Sequence, residues 1–180
     1  VFTGFDRQID GSLKALARPC IDTGMGLERL AFCVQGKPSP FHTDLFWPIV
    51  ESAAHIFGTD PLDVRHALAY LVIPDPPRAA TMLMSEGVIP SNVERGYVLR
   101  RLVRRAARYG QMIGHDKPFL SKLVPAVIDI FAPGYPELRA ATAQVQAVMK
   151  TEEAKFLETL ASGEKELDKI EKQLQKIKDV

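Results

Sequence analysis

At 180 residues, with 46% hydrophobic and 25% charged side chains, the chain has the make-up of a soluble globular protein with one ordinary core or two small ones. A net charge of +1 excludes a global field for polyanions, so any nucleic-acid contact must come from a local cluster. Cys20 and Cys33 are too few for a disulfide framework or a four-cysteine zinc site, the histidines form no ligand spacing, and no apolar run is long enough to span a membrane; no metal site is expected, and a reduced cytoplasmic setting is.

Residues 1–5 read as a strand met in its middle, without initiator Met or cap, as in a piece of a longer protein. Asp10-Gly11 is a hairpin turn signal, and residues 13–22 form a second extended run that Pro19 is expected to interrupt. From Gly24 the pattern becomes helical, with Leu27, Leu30, Ala31 and Val34 on one face, until Gly36-Lys37-Pro38 stops it. The stretch between, Asp22-Thr23-Gly24-Met25-Gly26-Leu27-Glu28-Arg29, is strand, Gly-x-Gly turn and helix start. Two glycines permit unusual backbone conformations and close approach of a ligand. The helix N-terminus after them favours anions. Arg29 can add a guanidinium for phosphate and Asp22 a carboxylate for an amine. A Gly-x-Gly taken alone also fits a structural turn, and Glu28 is equally a first-turn charge that complements the helix dipole or a ligand contact.

A short helix is expected over residues 49–57 after Pro48, and another over 63–73 begun by Pro61. Pro74, Pro76 and Pro77 remove N–H donors and predict a break, with residues 78–84 as a separate helix. Beyond it, Ser91 or Asn92 can cap a helix whose buried stripe is Leu99, Leu102, Val103 and Ala106. Arg100, Arg101, Arg104, Arg105 and Arg108 share the opposite face, within about 140°. The sequence carries no acid between Glu94 and Asp116 to neutralise them. Like charges so placed repel, and a polyanion partner explains that better than a solvated face does. A further apolar helix is expected from Pro118 through Ile130, closed by Pro133-Gly134. From Pro136 onward Phe156, Leu160, Gly163, Leu167, Ile170, Leu174 and Ile177 alternate four and three apart. That seam fits a long helix lying on the preceding bundle, or self-association through a coiled coil.

The Asp22–Gly24–Gly26–Glu28–Arg29 combination resembles the third signature motif of class II aminoacyl-tRNA synthetases, in the form seen in alanyl-tRNA synthetases. Pro90-Ser91-Asn92, Arg95-Gly96-Tyr97-Val98-Leu99-Arg100-Arg101 and the pair Arg104-Arg105 are similar to that family's tRNA-recognition helix. The resemblance implies a mostly α fold with a small antiparallel β remnant (α+β): the end of a class II catalytic domain over residues 1–58, then a helical tRNA-recognition domain over 59–180. It implies an alanine–tRNA ligase that activates alanine with ATP and Mg2+ and transfers it to tRNA(Ala). Asp22 and Gly24 would bind alanine, Gly26, Glu28 and Arg29 would bind ATP, and Arg29 would be catalytic. Asn92, Arg95, Arg100, Arg101, Arg104, Arg105 and Arg108 would meet the acceptor stem, which the family reads through a G·U pair. The family's other two motifs precede the equivalent of Val1, and its zinc belongs to an editing domain beyond this stretch, so this chain is expected to hold part of a site. It departs from the family where Gly4, Pro40 and His42 replace Gln, Asn and Asp, and where Pro74-Asp75-Pro76-Pro77-Arg78 replaces an Asp-His-Ile-Arg run. These departures keep a second reading open, a non-catalytic RNA-binding helical module.

Overall fold

The computed structural model describes residues 2–21 and 24–178, with side chains described from Thr3 through Gln175. It is mostly α, with a two-stranded antiparallel sheet and a long C-terminal helix. The chain forms two compact units, Val1–Thr43 and Asp44–Val180.

The first unit pairs β1 (Phe2–Arg7) with β2 (Leu13–Ile21) around a turn. In the turn the Ser12 N–H donates to Asp10 Oδ1 at 2.9 Å and the Gly11 N–H to the Gln8 carbonyl at 3.0 Å. Pro19 does not interrupt β2. Thr3 pairs with Cys20 and Phe5 with Ala15, so the single residue Gly4 opposes residues 16–19. Pro19 sits in this irregular stretch, where the ladder does not need its missing donor. Helix α1 (Leu27–Val34) follows and ends on Gly36, at φ +60°, with the Lys37 N–H on the Phe32 carbonyl at 3.0 Å and the Gly36 N–H on that of Cys33 at 3.3 Å. That paired closure is the Schellman form, which the Gly-Lys-Pro stop signal anticipates. A 3-10 turn at Pro40–His42 completes the unit, the His42 Nδ1 lying 2.7 Å from Ser39 Oγ.

The second unit is helical: α2 (Trp47–Phe57), α3 (Ala67–Val72), α4 (Asp75–Ser85), α5 (Glu94–Met112), α6 (Leu120–Phe131) and α7 (Leu138–Lys178). Ile49, Tyr70, Ile73, Leu99, Val103, Leu123, Val124 and Met149 are buried in it. Helix α3 is far shorter than the expected 63–73. Asp60 Oδ1 accepts the Leu62 N–H at 2.8 Å and Asp63 Oδ1 the Arg65 N–H at 2.9 Å. These aspartate turns compete with the helical ladder until residue 67.

The break at the prolines is present, but α4 starts at Asp75 rather than Arg78. Ile73 and Pro74 keep right-handed helical torsions (φ −62° and −69°), so what breaks is the hydrogen-bond ladder, not the backbone path. Pro76 and Pro77 fall in the first turn of α4, where N–H groups lack intrahelical partners anyway.

Helix α6 carries Pro125 in its interior. Proline gives no N–H to the Ser121 carbonyl one turn back. The Gln146 side chain of α7 donates to that carbonyl instead, at 3.1 Å. Helix α7 packs on α4, α5 and α6 with its first half only. Leu138, Val145, Met149, Glu152 and Glu153 are buried, whereas every residue from 161 to 175 is exposed. The expectation of a helix lying on the bundle therefore holds to about residue 160. Leu167, Ile170 and Leu174 of the expected seam are covered by nothing among the described residues, and the Ile177 side chain lies outside them.

Candidate functional site

Two places carry the residues singled out by sequence. At the first, Asp22 lies outside the described residues. Gly24 faces open space: a Cβ there would meet nothing within 4 Å. Gly26 is the N-cap of α1 at φ −64°, ψ 121°, a conformation any residue adopts, so the torsional freedom expected of it is not used. An added Cβ there would only touch Arg29 Cγ and Cδ at 3.5 Å, an ordinary van der Waals contact. Among the described residues no side chain caps the helix, the Leu30 N–H closes the first turn on the Gly26 carbonyl at 3.0 Å, and Arg29 stands exposed beside it. A helix N-terminus beside an exposed guanidinium suits a phosphate group. Glu28 is half-buried in the same turn. Among the described residues no group of three His, Cys, Asp or Glu gathers to hold a metal ion.

The second place is α5. Its buried stripe is Gly96, Leu99, Val103, Ala106, Ala107 and Gly110, with Leu102 only half-buried. The expectation that no acid meets the arginines is overturned by α7. Glu152 Oε1 accepts from Arg104 Nε at 2.9 Å and lies 3.2 Å from Arg100 Nε. Arg104 also stacks over the Phe156 ring, 5.4 Å to its centroid. Arg108 donates to Gln111 Oε1 at 2.7 Å and reaches Glu164 at 3.6 Å, a half-exposed pair worth little in water. The sequence could not show this, because the carboxylates come from 48 and 56 residues further along the chain. The adjacent acids Glu152 and Glu153, in line with the apolar Val145, Met149 and Phe156, were the one signal.

The comb is therefore divided. Arg100 and Arg104 face α7, while Arg95, Arg101 and Arg105 are exposed and make no ion pair among the described residues. Tyr97, unremarked as a side chain in the sequence, is half-exposed with the Arg101 guanidinium 5.8 Å from its ring centroid. Tyr97, Val98, Arg101, Leu102, Arg104 and Arg105 line an open cleft of about 480 Å³. A positive cleft with an aromatic face offers both phosphate and base contacts.

Asn92 does not cap α5. The N-cap is Val93, extended at φ −131°, and Glu94 turns the chain into the helix at φ +48°. Ser91 Oγ donates to the Val93 carbonyl at 2.8 Å, and Asn92 Oδ1 accepts from Arg100 Nη1. Gly96 allows the loop to close on the helix, since a Cβ there would lie 2.3 Å from Ser91 Oγ and 2.5 Å from the Ile89 carbonyl oxygen.

The family model described as tRNA synthetases class II (A) matches residues 1–180. The chain belongs to the class II tRNA synthetase family. This synthetase chain is 48% identical over 175 residues to an alanine–tRNA ligase of Endomicrobium trichonymphae, covering 94% of this chain and 19% of that protein. It is 46% identical over 171 residues to the alanine–tRNA ligase of Halalkalibacterium halodurans (94% and 20%), and 47% over 165 residues to that of Stenotrophomonas maltophilia (92% and 18%). It thus spans about a fifth of the length of these relatives. No helix among the described residues is long and apolar enough to cross a membrane.

Proposed function

We propose that the chain is part of an alanine–tRNA ligase, carrying the third class II motif and the surface that meets the acceptor stem of tRNA(Ala). The intact protein would activate alanine with ATP and pass it to the tRNA 3′ end. The observation that carries this reading is the divided comb: Arg95, Arg101 and Arg105 stand exposed along one helix face beside Tyr97, on a chain that belongs to a tRNA synthetase family. Phosphate contacts position a nucleic acid without reading it, and base-edge contacts supply specificity. Arg101 and Arg105 take the first role, Arg95 and Arg108 flank them, and Asn92, exposed at the start of the helix, takes the second. By function, residues 1–58 close the catalytic domain and 59–180 recognise tRNA; by packing, α2 rests on α6.

At the first site Arg29 and the helix turn after Gly26 fit an ATP phosphate, Gly24 leaves room for a small amino acid, and Asp22 takes its ammonium group. The alanine carboxylate attacks the α-phosphorus of ATP and pyrophosphate leaves; Arg29 holds the terminal phosphate and neutralises charge on that leaving group. Among the described residues no three carboxylates gather to hold Mg2+.

The test compares acceptor-stem RNAs bearing G·U or G·C at the recognised pair, using the full-length protein. Arg101→Ala and Arg105→Ala should weaken both RNAs alike and each lower the slope of log K against log salt by about 0.7–0.9. Asn92→Ala should narrow the gap between the RNAs and leave the salt slope alone. Equal weakening of both RNAs by Asn92→Ala, with a lower melting temperature, would leave it a structural residue and sink the recognition claim.

A further inference from the structure

Glu152 is a carboxylate on α7 that is only 5% exposed, and it sits between two arginines of α5. Both guanidiniums converge on its Oε1. Arg104 makes an aligned hydrogen bond there; Arg100 Nε, a buried atom, lies within ion-pair distance but donates no aligned bond. Arg100 spends a terminal nitrogen elsewhere, donating from Nη1 to Asn92 Oδ1. A guanidinium has donors only, so the oxygen end of the asparagine amide must be the end that faces it. The Nδ2 end, with its two N–H donors, is left for a partner.

We infer that Glu152 acts through Arg100 as a positioning residue, holding the exposed amide of Asn92 so that it presents a hydrogen-bond donor to an acceptor on the RNA base edge. This rests on the reading of Asn92 as the base-contacting residue. The terminal torsion of asparagine is broad and two-fold, so an untethered amide exchanges its donor and acceptor ends and distinguishes little. Tethered by its oxygen, it reads one type of atom. The shallow minor groove of A-form RNA is open to side chains. Purine N3 and pyrimidine O2 are acceptors on that edge, and the guanine amine is a donor. A donor-presenting Asn92 bonds guanine N3 or uracil O2 and gains nothing from the guanine amine. Lysine at 100 would keep the charge but has no rigid planar fork to bridge Glu152 and Asn92 at once.

The experiment measures binding of the full-length protein to acceptor-stem duplexes in which single atoms of the recognised G·U pair are changed. 3-Deazaguanosine removes the purine N3 acceptor, 2-thiouridine weakens the pyrimidine O2, and inosine removes the guanine amine. Wild-type protein should lose about tenfold in affinity on one of the two acceptor changes, the scale of one hydrogen bond to a group left unpaired. In Glu152→Gln and Arg100→Lys that loss should shrink to below about threefold, with the salt slope unchanged because neither protein loses a phosphate contact. Stability alone cannot produce an atom-specific loss of this kind. Wild-type sensitivity retained in a folded Glu152→Gln protein would make Glu152 a purely structural tie and overturn the inference; if that variant does not fold, Arg100→Lys decides by the same criterion. A wild-type protein sensitive to inosine but to neither acceptor change would show the amide facing the other way, and overturn it equally. Asn92→Ala retaining the full acceptor sensitivity would instead show that Asn92 is not the reader, and both proposals would fall together.

Discussion

Glu153 of α7 begins helix α6 from outside it: Oε1 accepts the Phe119 N–H at 3.0 Å and Oε2 the Leu120 N–H at 2.9 Å, while the side chain is wholly buried. Helix α6 has no capping side chain of its own. A residue from the next helix supplies the acceptor that a local serine or aspartate commonly gives.

This arrangement makes stability pH-dependent. Burial pushes the Glu153 carboxyl up to about 7 from 4.5, against the opposing pull of the two N–H bonds and Lys122. Its folded pKa exceeds the unfolded one, so the folded chain keeps a proton that the unfolded chain has shed. The contribution is complete below about 4.5 and is lost as pH rises to about 7, on the order of 3 kcal/mol. Urea unfolding of Glu153→Gln across this range should show a flatter stability profile than wild type. Parallel profiles would show that Glu153 does not titrate there.

Gly110 and Gly163 should respond oppositely to alanine. A Cβ at Gly110 would lie 2.2 Å from Phe119 Cε1, and Phe119 is buried, so its ring cannot swing away. Gly110→Ala should cost about 1–3 kcal/mol, the scale of overpacking. Gly163 is inside α7 with nothing within 4 Å of an added Cβ. Gly163→Ala should stabilise by about 0.5–1 kcal/mol through helix propensity. Thermal melts of the two variants read both signs; a neutral Gly110→Ala would show that α5 and α6 can separate freely.

Arg104 and Arg105 are adjacent in sequence and should fail differently. Arg104→Ala leaves Glu152 with Arg100 alone and removes the contact over Phe156, costing about 1–3 kcal/mol of stability. Arg105→Ala should leave the melting temperature within about 1 °C, since an exposed surface change moves stability little, and should lower the salt slope of RNA binding instead. If Arg104→Ala flattens the salt slope as much as Arg105→Ala does, Arg104 leaves Glu152 to reach phosphate when RNA binds.

In the full-length protein, Arg29→Ala should lower the rate of alanine activation by roughly 10²–10³, the usual loss for one preorganised charge-stabilising donor. Asp22→Asn should raise the alanine KM, because an amide cannot neutralise an ammonium group. Alanine-dependent pyrophosphate exchange measures both; an unchanged KM in Asp22→Asn would remove the ammonium assignment.

What could be read from sequence was local. The hairpin at Asp10-Gly11, the stop at Gly36, the break at Ile73-Pro74 just ahead of Asp75 and the apolar stripe of α5 each depend on torsions, missing donors or periodicity within a few residues. The residues that resemble a synthetase motif are likewise contiguous, and the family match agrees with them. Tertiary structure decided what depends on partners distant in the chain. The arginines of α5 looked unneutralised because Glu152 and Glu164 arrive from a helix two elements later. Ser91 or Asn92 could cap the helix by sequence; that Asn92 Oδ1 instead accepts from Arg100, two turns further along and paired with Glu152 of α7, needed the assembled helices. The aspartate turns at 60–66 shortened α3 against its periodicity, and the seam of α7 runs on past residue 160, where its side chains are exposed. Periodicity fixes which face of a helix is apolar; only the assembled neighbours fix how far that face is covered and which charges meet across it.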